Sequence, residues 1–295
     1  MNNLGGEIQQ YQWQWQNQQI TVIYETLGQG MPLLLLPAFS TVSMREEVAT
    51  LGKLLSGNFQ VTIADFPGFG DSARPYVNYN PDFYQEFIVN FVTNTFKTPI
   101  GIIAAGHSAG YVLKLAQQNP SVFSQIVLVA PTWRGPLRTM GASTEIAGFV
   151  RELVRSPILG QLLYKLNTLP AFLSWMYGRH VYVDKSKLTP QFIQHKWQNT
   201  QKSGARFAPA SFVTGTLDPV ESRDEFLALG KNLSLPLLVI IPESAPPKSR
   251  AEMDAFADLP GVESIILPGT LGMHEEYPER VANAILPFLR TVSTT

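Results

Sequence analysis

Ile100-Gly101-Ile102-Ile103-Ala104-Ala105-Gly106-His107-Ser108-Ala109-Gly110 decides the reading of this chain. The first six residues are apolar with no polar alternation, the pattern of a strand buried on both faces. Gly106 to Gly110 fit G-x-S-x-G, and Ala109 to Gln118 continue with helical spacing. Two glycines around a serine arise by chance, so the weight lies in the context of strand, turn and helix. On such a turn the serine is expected in a tight, strained conformation that projects its hydroxyl from the sheet edge. The flanking glycines leave room where strand and helix approach closely. The competing reading makes Ser108 an ordinary N-cap.

Outward from this unit, strands and helices alternate. Tyr11, Trp13 and Trp15 alternate with glutamines, and Ile20, Val22 and Tyr24 resume after Asn17-Gln18, which predicts a β-hairpin with a glutamine-covered wet face. Leu33–Leu36, Val61–Ala64 and Ile126–Val129 are short apolar strands. Arg45–Leu55 and Asp82–Phe96 carry helical stripes. From Trp133 to Val213 the alternation stops, and helix-like segments rich in Leu, Phe and Trp follow. It resumes with a helix at 222–229, strands at 237–241 and 264–267, and helices at 250–258 and 279–290. The expected fold class is α/β, a mostly parallel central sheet flanked by helices. Residues 1–132 and 214–295 would form its core and 133–213 an inserted helical cap.

Composition narrows the function classes. Of 295 residues, 45% are hydrophobic and only 15% charged, against a usual value of about 25%. Lys plus Arg number 22 and Asp plus Glu 23, a net charge of −1. No basic excess serves a phosphate backbone, so nucleic acid is not an expected partner. The chain has no cysteine, which removes disulfides, thiolate metal sites and a cysteine nucleophile. The polar segment Met1–Gln10 lacks the basic start and apolar run of a secretory signal. The most apolar stretch, Pro157–Tyr177, is interrupted by Lys165, Asn167 and Pro170, too broken for a spanning helix. The expected location is the cytoplasm.

A serine hydroxyl needs a base to attack at neutral pH, and the chain offers four histidines. His107 adjoins Ser108, and neighbouring side chains on a sharp turn diverge, so it reads as structural. His180 and His195 lie in the helical stretch, where they line a pocket or face water. His274, in Gly272-Met273-His274-Glu275-Glu276-Tyr277-Pro278, follows the last strand. A loop at the carboxyl end of a parallel sheet is where ligands bind, which makes His274 the candidate general base.

These residues carry a resemblance. Over nearly its whole length the chain resembles the α/β-hydrolase superfamily. Asp65-Phe66-Pro67-Gly68-Phe69-Gly70-Asp71-Ser72 is similar to its D-x-P-G-x-G-x-S turn, and Met273-His274-Glu275 through Phe288-Leu289 resembles its histidine loop and closing helix. The order Ser before His and the position of the helical insertion also match. Ala130–Trp133 and Gly204–Phe207 are similar to segments of a poorly characterised cyanobacterial and plastid branch. The resemblance implies an oxyanion hole formed by the backbone N–H groups of Ala109 and Phe39. It implies no metal or organic cofactor. Where the family usually has His-Gly, this chain has Pro37-Ala38.

The third triad member is the weak match. Where the family places an Asp, this chain reads Ile241-Pro242-Glu243-Ser244-Ala245, with Ala245 at the acid position. The alternative location after Val129 offers no carboxylate. Glu243 is the nearest candidate, Asp218 the second, and Asp65 reads as a turn-former. The leading expectation is a serine hydrolase cleaving a carboxylic ester of a small hydrophobic substrate through an acyl-enzyme. The serine disfavours the dehalogenase and epoxide hydrolase relatives, which use Asp there. C–C bond hydrolysis and acyl transfer share the Ser-His machinery. A non-catalytic or weakly active ligand-binding protein on the same scaffold is favoured by Ala245 and Pro37-Ala38. Membrane-surface docking through residues 156–178 is a further reading, weakened by the single charge, Lys165.

Overall fold

The alternation of Tyr11, Trp13 and Trp15 produces strand β1 (Glu7–Trp15), which pairs antiparallel with β2 (Gln18–Leu27). Trp13 is buried while Gln12, Gln14 and Gln16 are exposed, as the period-two pattern requires. The computed structural model describes residues 3–231 and 233–291. The apolar runs become β3 (Met31–Leu36), β4 (Phe59–Ala64), β5 (Ile100–Ala105), β6 (Phe123–Val129), β7 (Leu237–Pro242) and β8 (Val262–Leu267). These strands form one eight-stranded sheet in the order β1-β2-β4-β3-β5-β6-β7-β8. β2 meets β4 antiparallel, and β3 to β8 are parallel, so their carboxyl ends share one rim. Every residue of β5 and β7 is buried, whereas the edge strand β8 exposes Glu263, Ser264 and Ile266. Continuous apolar runs therefore mark the strands covered on both faces.

Helices cover the sheet. Arg45–Leu55, expected as one helix, begins with a 3₁₀ turn (Arg45–Val48) and continues as α1 (Ala49–Leu55). Next come α2 (Pro81–Thr95), capped by the Asn80 side chain on the Phe83 N–H, and α3 (Ser108–Gln118). Between β6 and β7 the described residues contain helices and no strand. These are α4 (Pro136–Met140), α5 (Thr144–Arg155), α6 (Leu159–Asn167), α7 (Pro170–Met176), α8 (Pro190–Thr200), α9 (Phe207–Val213) and α10 (Arg223–Gly230). A turn of π-helix at Tyr177–Val181 links α7 to the segment before α8. The chain closes with α11 (Pro247–Ala257), α12 (Met273–Glu276) and α13 (Pro278–Thr291).

The loop after β4 is held by a buried charge cluster. The Asp65 carboxylate is fully buried. It accepts hydrogen bonds from the Arg45 N–H at 2.6 Å and the Asp71 N–H at 2.8 Å, and it pairs with the Arg45 guanidinium. Arg45 also reaches Asp71 at 2.7 Å. Burial pushes the Asp65 carboxyl up and Arg45 opposes it; Asp71 is lowered to about 2 by Lys202 and Arg45, against its own desolvation. Asp65 is thus a structural anchor, in keeping with its reading as a turn-former. Removing one partner of a buried pair strands the other charge, at about 3–5 kcal/mol. Asp65→Ala should therefore destabilise the fold by about that amount. Urea unfolding would read it as a lowered midpoint, and a change below about 1 kcal/mol would contradict a buried anchor.

Candidate active site at the carboxyl rim

Gly106 ends β5 with φ +53°, and a Cβ there would lie 2.9 Å from the Ala38 Cβ. At Gly110 a Cβ would meet the Pro219 ring at 2.3 Å. Both glycines are therefore required by close approach. The expected strain on the serine is not observed. Ser108 is absent from the non-glycine residues with positive φ, which are Gln16 and Ala130. It is instead the first residue of α3, following His107 in the right-handed helical region. Its hydroxyl donates to the Ala105 carbonyl at 2.7 Å, and the residue is fully buried. The hydroxyl thus turns back along the chain because the helix starts early and leaves the β5 carbonyl within reach.

His107 leaves the turn on the side facing 214–220. Its Nε2 lies 2.8 Å from the Leu217 carbonyl, which also accepts the Tyr111 hydroxyl at 2.6 Å. Burial lowers His107 to about 4, so the neutral ring donates to Leu217 at neutral pH and has a structural role. Asp218 Oδ1 stands 3.5 Å from His107 Nε2 and accepts the Gly135 N–H at 2.7 Å. Burial raises the Asp218 carboxyl to about 7, with the Gly135 bond opposing. Asp218 is therefore engaged beside His107, which removes it as the second candidate for the triad acid.

The loop after β3 keeps its shape through Phe39. Its buried ring stacks on Phe66 at 4.3 Å and meets Tyr84, His107 and Phe212. Aromatic packing thus replaces the His-Gly of the family pattern. The Phe39 N–H has no hydrogen-bond partner among the described residues, whereas the Ala109 N–H donates to the Gly106 carbonyl at 3.3 Å. One expected oxyanion donor is free and the other sits in a long, weak bond.

His274 lies in the short helix α12, not in the open loop its flanking residues predict, and is buried. Burial lowers it to about 4, and Lys196 lowers it further in the same direction. Its Nδ1 has no hydrogen-bond partner, and no hydrogen bond joins it to Ser108. The turn around it is locked. Gly272 donates to the Val181 carbonyl at 3.0 Å, and the Glu276 carboxylate accepts the Val183 and Asp184 N–H groups.

Glu243, expected as the acid, is exposed and makes no bond to His274. Its backbone N–H donates to the Leu267 carbonyl at the end of β8 at 2.9 Å. What stands near His274 instead is a cation. Lys196 of α8 is buried, 3.0 Å from Glu47 and 2.8 Å from Glu275. Burial disfavours its charge, but Glu275 and Glu47 outweigh that and hold it as an ammonium. Burial pushes the Glu47 carboxyl up, and Lys196 opposes it. Sequence reasoning missed this cluster. Glu275 lies in the quoted motif, but Lys196 is an ordinary polar position of an amphipathic helix, and only docking of α8 reveals its burial. Of the other histidines, His195 pairs with Glu46 at 2.8 Å and His180 is exposed.

Comparison with known proteins fits this architecture. An esterase from Thermogutta terrifontis is similar at 19% identity and TM-score 0.76, with 98% of this chain and 100% of that one covered. A haloalkane dehalogenase, DatA from Agrobacterium tumefaciens, is similar at 16% identity and TM-score 0.73, with 98% of each chain covered. An epoxide hydrolase, CorEH, is similar at 17% identity and TM-score 0.71, covering 97% of this chain and 100% of that one. Similarity at this level shows the fold and leaves the chemistry to the site. No curated protein sequence matches the chain. Residues 33–284, which run from β3 into α13 and include both Ser108 and His274, match the alpha/beta hydrolase family, and the chain belongs to it.

Proposed function

We propose that this chain is a serine hydrolase that cleaves a carboxylic ester carrying a hydrophobic group, with Ser108 as nucleophile and His274 as general base. One observation carries the reading: Ser108 follows β5 after the two-residue turn Gly106-His107 and His274 lies beyond β8, both buried at the carboxyl rim of the parallel strands. For catalysis the Ser108 hydroxyl leaves the Ala105 carbonyl and gives its proton to His274 as its oxygen attacks the acyl carbon. The Phe39 and Ala109 N–H groups face the oxyanion. His274 returns the proton to the departing alcohol, and water then releases the acyl group by the same steps. Hydrogen bonds of this kind are often long or unformed before substrate binds. Residues 133–213 act as a cap over a core of 1–132 and 214–295. Ser108 and His274 are both buried, so substrate entry requires movement of the residues that cover them.

No carboxylate is assigned to the third position. In other serine hydrolases its loss lowers kcat about 10⁴-fold, with the remaining machinery still faster than water. Turnover is accordingly slow. A second reading is favoured by the helical conformation of Ser108, its bond to Ala105 and the unpaired Nδ1 of His274. On that reading the chain is a ligand-binding protein on a hydrolase scaffold. A fluorophosphonate probe separates the two. Labelling of the wild type that disappears in Ser108→Ala is the expected result, and folded wild type that stays unlabelled favours the binder. A panel of nitrophenyl esters of increasing acyl length then reads the substrate class.

Two further outcomes follow from the electrostatics. His274 acts as a base only when neutral, and burial with Lys196 nearby disfavours its protonation. The acid limb of kcat/KM should therefore fall near pH 4, with equal activity at about pH 5.5 and 7.5. A limb at the ordinary histidine value of about 6.5 would contradict a buried, neutral base. Because Glu243 is exposed and unbonded, Glu243→Gln should leave ester turnover within about twofold of wild type, whereas a triad acid would show a loss of orders of magnitude.

A further inference from the structure

The helices between β6 and β7 present apolar side chains outward. Along α6 and α7, Ile158, Leu162, Leu166, Leu169 and Trp175 are 86%, 55%, 52%, 48% and 57% exposed. Ile158, Leu162 and Leu166 recur at steps of four along α6 and its N-cap, so they lie on one face, and Leu169 follows at the N-cap of α7. Phe149 on the neighbouring α5 is 69% exposed. Large contiguous apolar surfaces on soluble chains mark interaction sites.

Within α6 and α7 the one charged residue, Lys165, is basic; the carboxylates nearest this face, Glu145 and Glu152 on α5 and Asp184, lie outside that segment, and Glu152 pairs with the mostly buried Arg155. From residue 153 to 183 the chain contains no Asp or Glu, while Arg155, Lys165 and Arg179 lie within it. The chain as a whole carries −1, so the segment stands apart from the rest. Beyond α7, an open pocket of about 540 Å³ is lined by Trp175, Arg179 and Lys185, with Ser174, Gly178 and Leu188. Neither Arg179 nor Lys185 has a carboxylate partner among the described residues. The nearby Asp184 carboxylate is occupied by the Ser186 N–H and hydroxyl.

We propose that this face docks the protein on an anionic lipid bilayer, with the α6–α7 side chains entering the headgroup boundary and Arg179 and Lys185 holding an anionic headgroup beside Trp175. The arrangement suits a bilayer for three physical reasons. Apolar side chains gain by leaving water, Trp belongs at the interface, and Lys and Arg are drawn to anionic lipid within about a Debye length. A second copy of the chain suits it poorly. Self-association through this face would bring Lys165 and Arg179 against their own kind, with no carboxylate between 153 and 183 to pair with them. The proposal stands apart from the chemistry at Ser108, so the Ser108→Ala chain is expected to bind equally well.

Cosedimentation of the full chain with vesicles tests it. Wild type should bind vesicles of phosphatidylcholine containing about one-third phosphatidylglycerol and not bind pure phosphatidylcholine, with the binding weakened by salt. Arg179→Glu with Lys185→Glu, and separately Leu162→Ser with Leu166→Ser, should each weaken it about tenfold or more. All four residues are at the surface, and circular dichroism confirms that the variants are folded. Failure of folded wild type to bind anionic vesicles overturns the proposal, as does equal binding to both vesicle types. Displacement by glycerol phosphate at the lipid phosphate concentration would make the pocket a soluble-anion site. A concentration-dependent dimer lost in the leucine variant would assign the face to self-association.

Discussion

The rim depends on a strand that must become a helix almost at once. β5 is buried on both faces, so its backbone cannot turn to water where it leaves the sheet. Gly106 resolves this by donating to the Val129 carbonyl while its own carbonyl accepts from Thr132 and Ala109. The turn is thereby tied to the end of β6. Ala38 and Pro219 close against it where any side chain on Gly106 or Gly110 would collide. Position and burial of Ser108 both follow from this closure. So does its orientation, because a helix that starts at the serine places the hydroxyl next to a strand carbonyl.

Charge buried around that turn supplies the second layer of organisation. The chain is poor in charged residues, yet it invests several at the rim. Arg45 with Asp65 and Asp71 holds the loop after β4, and Lys196 with Glu47 and Glu275 joins α8 to the turn that carries His274. Such groups are tolerated only when paired. Pairing also has a chemical consequence. The group near His274 that most affects its protonation is an ammonium, where an acid would be expected in a triad. Burial and Lys196 favour the neutral imidazole, and its buried Nδ1 has no hydrogen-bond partner.

The outer surface is the counterpart of this inward concentration. Buried clusters take charges into the interior, while α6 and α7 carry large apolar side chains outward. A surface helix normally hides such a stripe against the core. Here the inward positions of these helices, Tyr164 and Leu173 among them, are already buried, and a second apolar face remains outside. An amphipathic pattern read from sequence cannot separate the two faces, since both consist of leucine and aromatic residues.

Local chemistry determined much of this protein. The apolar runs at 33–36, 100–105 and 237–241, the alternation at 11–15 and the G-x-S-x-G turn specify strands, hairpin and strand–helix junction through interactions within a few residues. The α/β order and the places of Ser108 and His274 on the rim follow from them. Tertiary structure decided what depends on distant partners. It placed Lys196 between Glu47 and Glu275, Asp218 beside His107 and Glu243 in solvent, and it gave Ser108 a helical conformation where the motif predicts a strained one. The Lys196–Glu47 and His107–Asp218 contacts are set by segments that pack together across more than a hundred residues of chain, and no local pattern encodes the desolvation that such packing brings.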